Sequence, residues 1–202
     1  MRSPITALAR ISKEFARKHP GKVEDVILFG SLRRGSRQPA DIDLLILFPG
    51  KVDKDLEYEF RRKAEKIARN PSVLSIPSKE VLQNGFEARE GVLFEGYSLL
   101  SSKALASSYG FVPMGLFFTS SSSLSKKDLT RFYYALNGRG SSRGELHRLL
   151  GNKIADNALL FPLHTIELAK DFFSYWNLPF QFVPVLIPER LAKPGILGKI
   201  KL

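Results

Sequence analysis

Asp41 and Asp43 stand one residue apart at the head of an apolar run, Asp41-Ile42-Asp43-Leu44-Leu45-Ile46-Leu47-Phe48, and Gly30-Ser31 lies about ten residues upstream. Side chains alternate along a strand, so a strand through this run projects both carboxylates from one face. Adjacent carboxylates repel, and a cation between them is the usual explanation; hard oxygen ligands select magnesium or manganese over zinc. Gly30 has no side chain to hold a phosphate away from the backbone. Ser31 adds a hydroxyl at what reads as the start of a short helix, where free amides favour an anion. Arg33, Arg34 and Arg37 surround that seat with positive charge. A triphosphate on the turn and metal ions on the aspartates, connected by one short helix, make a nucleotidyl-transfer site. The bland alternative is a polar turn with two solvated aspartates at a strand's mouth.

Positioning these residues requires a strand on each side of the turn. Residues 23–29 read as the first and residues 41–48 as the second, closed by Pro49-Gly50 in a hairpin-like unit. Ahead of them, Ser3-Pro4 starts a helix whose apolar positions are Ile5, Leu8, Ile11 and Phe15, ended by His19-Pro20-Gly21. Behind them, Asp53 caps a helix with Leu56, Phe60, Ala64 and Ile67 on its apolar side, ended by Asn70-Pro71; residues 73–76 form a third strand. A short helix to Gly85, a turn at Arg89-Glu90-Gly91, an apolar segment at residues 92–94 and a strand or buried connector at residues 111–118 follow.

The segment from Leu28 to Ile46 resembles the signature of the DNA polymerase β-type nucleotidyltransferase superfamily, a Gly-Ser followed by Asp-x-Asp between apolar residues. It is most similar to the minimal nucleotidyltransferases, whose Gly-Ser also continues into Arg-Gly, as Arg34-Gly35 does here. The order of elements agrees over about residues 1–100. The resemblance implies an α/β domain with a mixed sheet flanked by helices. It also implies magnesium or manganese on Asp41 and Asp43, and the triphosphate of an NTP on Gly30 and Ser31, with Arg34 beside it. The implied reaction moves a nucleoside monophosphate to an acceptor hydroxyl of RNA, protein or a small molecule. Family members usually carry a third carboxylate on the strand after the second helix. Here that strand reads Val73-Leu74-Ser75-Ile76, with Ser75 in the acid's place and Glu80, Glu87, Glu90 and Glu95 further on.

Ser120 to Ser123 reads as a linker, which divides the chain into residues 1–118 and a small basic α+β domain at 119–202. In the latter, a helix at residues 126–136, a Gly/Arg/Ser loop at 137–144, a short helix at 146–150 and a β-α-β pattern over 158–187 precede a basic tail from Lys193. Lys126, Lys127, Arg131, Arg139 and Arg143, interleaved with Phe132, Tyr133 and Tyr134, suit stacked bases and paired phosphates, and equally an amphipathic helix with a solvated loop. The net charge of +11 favours polyanionic partners such as RNA or DNA. Without cysteine there are no disulfides, thiolate metal sites or thiol nucleophiles. The apolar stretch at residues 44–48 is far too short for a membrane span, and no signal peptide is visible, so the expected location is cytoplasmic. Two other readings remain open: a non-catalytic nucleotide- or nucleic-acid-binding module, and an antitoxin-like interaction protein with a small helical partner.

Overall fold

Apolar side chains crowd both faces of the strands that flank Gly30, and the chain folds around them. The computed structural model describes residues 4–35, 41–68 and 70–192. The chain forms two units, residues 1–109 and 110–202; the sequence expectation drew that line after residue 118. Ser3, Arg37 and the tail from Lys193 lie outside the described residues.

In the first unit, β1 (Asp25–Phe29) and β2 (Ile42–Phe48) pair antiparallel, with Phe29 opposite Asp43. β3 (Pro71–Pro77) runs parallel to β2, and β4 (Tyr97–Ser98) pairs antiparallel with β1. The order β3-β2-β1-β4 is a mixed sheet. Helices α1 (Pro4–Lys18) and α2 (Lys54–Ala64) cover one face, where Leu8, Phe15 and Phe60 pack with Val26, Leu28, Leu44 and Ile46. On the other face Ile27, Leu45 and Leu47 meet Val81 and also Val92 of α3 (Arg89–Glu95). Burial on both sides explains why residues 44–48 are continuously apolar instead of alternating. Asp53 caps α2 by accepting from the amides of Asp55 and Leu56.

One local expectation is corrected. Arg89-Glu90-Gly91 begins α3 instead of forming a turn, because burying Val92 and Phe94 outweighs the weak helix propensity of Gly91. Of the short helix expected between the Gly-Ser turn and the aspartates, residues 31–35 form hydrogen-bonded turns, with the Arg33 and Arg34 amides donating to the Gly30 and Ser31 carbonyls, and residues 36–40 lie outside the described residues.

The second unit is an antiparallel sheet of order β10-β5-β9-β8. Its elements in chain order are β5 (Phe111–Thr119), α4 (Lys126–Asn137), β6 (Gly138–Arg139), β7 (Ser142–Arg143), α5 (Glu145–Arg148), β8 (Asn152–Ala155), β9 (Ala158–Pro162), α6 (Ile166–Tyr175) and β10 (Phe180–Pro188). Phe117 meets Phe161, Phe173, Phe180 and Phe182 in an aromatic core between the sheet and α6. The expected β-α-β is present as β9-α6-β10, but β5 lies between the two strands. Residues 120–123 connect β5 to α4 inside this unit, and the expected loop at 137–144 contains the β6–β7 hairpin. Among the described residues no helix is long and apolar enough to cross a membrane.

Candidate active site

The register of β1 against β2 sets Asp43 opposite Phe29, the last residue before the turn. Gly30 leaves the strand at φ +86°, a left-handed conformation that disfavours a side chain. A Cβ there would also collide with the Asp43 carboxylate. The glycine and the second aspartate of the sequence pattern are therefore in contact, and each explains the other's geometry. Asp41 precedes the strand with its side chain exposed, and its charge is felt at Asp43.

Glu95, at the end of α3, completes this cluster. Its buried carboxylate accepts the Gly30 amide at 2.7 Å through Oε2 and pairs with the Arg34 guanidinium through Oε1. The Arg33 guanidinium reaches the Glu95 carbonyl and lies 4.2 Å over the Tyr97 ring. Sequence reasoning named Glu95 only as one of four later acids. Its place follows from β4 pairing with β1, which brings the end of α3 to the turn.

Burial pushes the Asp43 carboxyl above its ordinary range, as do the charges of Asp41 and Glu95; the Ser72 hydroxyl and Arg34 pull it down. Asp43 is thus a half-buried carboxylate, a hard oxygen donor of the kind that a hard cation suits. Among the described residues no three acidic or imidazole groups gather as a metal site.

The expectation for Ser75 is corrected. Ser72, not Ser75, pairs with Asp43 across β2 and β3. Ser75 is three residues along, hence on the other face of the sheet, where its hydroxyl donates to Glu57 of α2. The remaining sequence-derived residues fall in the second unit. Lys126, Lys127 and Arg131 are exposed on α4, with Arg131 paired to Asp128. Arg139 and Arg143 are exposed on the β6–β7 hairpin, and the Arg139 guanidinium lies 5.0 Å over Tyr134.

Residues 8–90 match the family described as the nucleotidyltransferase domain. The match takes in Gly30, Ser31, Arg34, Asp41 and Asp43 and stops short of Glu95. No curated protein matches the chain. Among solved structures, a mutant of the MntA-HpeT toxin-antitoxin is 15% identical with a TM-score of 0.35, over 45% of this chain and 70% of that one. A toxin-antitoxin solved with AMP-PNP is 19% identical with a TM-score of 0.35, over 46% of this chain and 71% of the other. The tri-AMPylated Shewanella oneidensis HEPN toxin in complex with MNT antitoxin gives 17% identity and a TM-score of 0.31, over 46% and 68%. Overlaps this low carry no argument about activity.

Proposed function

We propose that the first unit, whose residues 8–90 match the nucleotidyltransferase domain family, moves a nucleoside monophosphate from an NTP to an acceptor hydroxyl at Asp41, Asp43 and the Gly30-Ser31 turn. The observation that carries this reading is the contact between Gly30 and Asp43, which supports a phosphate seat next to a carboxylate. Asp41 and Asp43 would hold magnesium or manganese. Bound there, a divalent ion lowers the acceptor's pKa and offsets charge on the leaving phosphates. The Ser31 hydroxyl at the turn would hold the triphosphate, with the Arg34 guanidinium, paired to Glu95, beside it. The acceptor oxygen forms a bond to the α-phosphorus as the bond from that phosphorus to the β-phosphate's bridging oxygen breaks. Pyrophosphate leaves, and the hydroxyl proton passes to solvent or to a carboxylate.

Label transfer from α-labelled NTP in magnesium or manganese tests the reading: wild type should transfer, and Asp41→Asn and Asp43→Asn should not. The two-carboxylate donor set supports one rival, a nucleotide-binding module without turnover. NTP binding with metal but no transfer to any RNA, protein or small-molecule acceptor would favour it.

A further inference from the structure

The acceptor is the open part of that reading, and the outer surface of α1 bears on it. Ile5 and Ala9 of α1 pack against the same core as Leu32, which lies two residues past Gly30. A trough of about 440 Å³ follows the helix, lined among others by Thr6, Arg10, Lys13, Arg17, Tyr97 and Ser102. An adjoining hollow shares Lys13 and Arg17 and continues to Leu100. Among the described residues no carboxylate lines either.

Positions 10, 13 and 17 share one helical face, so their three exposed cations form a row. None of them is ion-paired among the described residues, whereas the adjacent Lys18 is held by Glu59 at 2.8 Å. The trough's aromatic wall, Tyr97, carries the Arg33 guanidinium, which also reaches Glu95 beside the turn.

We propose that this trough seats a single-stranded nucleic acid, whose terminal hydroxyl is the acceptor if the nucleotidyl-transfer reading holds. A row of cations that no carboxylate pairs among the described residues matches the repeated charge of a phosphodiester backbone. An aromatic ring with a guanidinium over it is a surface on which bases stack. An acidic peptide would meet the same cations but has no use for the stack.

The test is fluorescence anisotropy of a labelled uridine 12-mer with the full chain, in chelator and without nucleotide, over a range of salt. Binding should weaken steeply as salt rises. The Arg10→Ala/Lys13→Ala/Arg17→Ala variant should bind at least tenfold more weakly, with the slope of log affinity against log salt reduced by about 2, three contacts at roughly 0.7 each. Arg10→Lys/Arg17→Lys should keep that slope, which excludes a folding defect as the cause. Lys126→Ala/Lys127→Ala/Arg131→Ala should bind as wild type. Wild-type binding by the α1 variant, loss only in the α4 variant, or equal displacement of the 12-mer by polyglutamate would overturn the proposal. Binding is read without NTP or metal, so failed label transfer and failed trough binding are separate results.

Discussion

Gly30 is the residue on which the site's geometry turns, because its backbone sits at φ +86° with the Asp43 carboxylate where a Cβ would go. Gly30→Ala should cost about 1–3 kcal/mol in urea unfolding, from left-handed strain plus the displaced carboxylate. Gly50, with open space around it and no left-handed backbone, is the control: Gly50→Ala should be nearly neutral. Asp43→Asn should act in the opposite direction. Burial and like charges disfavour the ionised carboxylate, so the metal-free variant should melt slightly above wild type. Magnesium or manganese should then raise the melting temperature of wild type and leave the variant unmoved. Equal metal responses would remove Asp43 from the ligand set.

Strand register decides which substitution can add a third acid. Ser72→Asp places a carboxylate opposite Asp43 and should tighten manganese binding measured by calorimetry. Ser75→Asp should leave manganese binding unchanged and destabilise the fold, because it sets a second carboxylate against Glu57. The reverse pattern would show the register to be shifted. Glu57 also ties α2 to β3, accepting from Lys54 at 2.6 Å, Arg61 at 2.9 Å and the Ser75 hydroxyl. Burial pushes its carboxyl up, but Lys54, Ser75 and Arg61 together hold it below its ordinary value. A carboxylate depressed on folding contributes stability above its unfolded pKa, and that contribution is lost as pH falls through the folded value. Glu57→Gln should therefore lower stability by about 1–3 kcal/mol at neutral pH. The gap to wild type should close in acid melts; a gap independent of pH would mean that Glu57 acts by packing alone.

Two units divide the whole molecule, and every residue of the proposed transfer site belongs to the first. A protein of residues 1–109 should therefore bind NTP with metal within about threefold of the full chain by calorimetry. This follows if each unit keeps its own core, as compact units generally do. Loss of NTP binding in the shortened protein, with its fold intact by circular dichroism, would place part of the site in residues 110–202. Charge is distributed differently from the site. Residues 1–102 carry 18 Lys+Arg against 14 Asp+Glu, a net +4; residues 103–202 carry 13 against 6, a net +7. Net charge favours the second half as the polyanion contact, but the trough that no carboxylate lines among the described residues lies along α1. Charge totals set long-range attraction, whereas a binding groove depends on which cations are left without carboxylate partners.

Local sequence determined what is local in cause. The helix after Asp53 follows from its cap and apolar spacing, and the two strands around the Gly-Ser turn follow from apolar runs closed by turn residues. The nearness of Gly30 to the aspartates was legible because a strand, a turn and a second strand of a hairpin cannot separate far. Contacts across long sequence separations were decided only by the tertiary structure. Glu95 reaches the Gly30 amide across 65 residues because β4 pairs with β1, and nothing in the residues around Glu95 distinguishes it from Glu80, Glu87 or Glu90. Ser72 takes the position opposite Asp43 because parallel pairing sets its register through the packing of α2, and a slip of one residue turns every side chain to the other face. The row of Arg10, Lys13 and Arg17 could be read from helical spacing, but that no acid would fold over it could not.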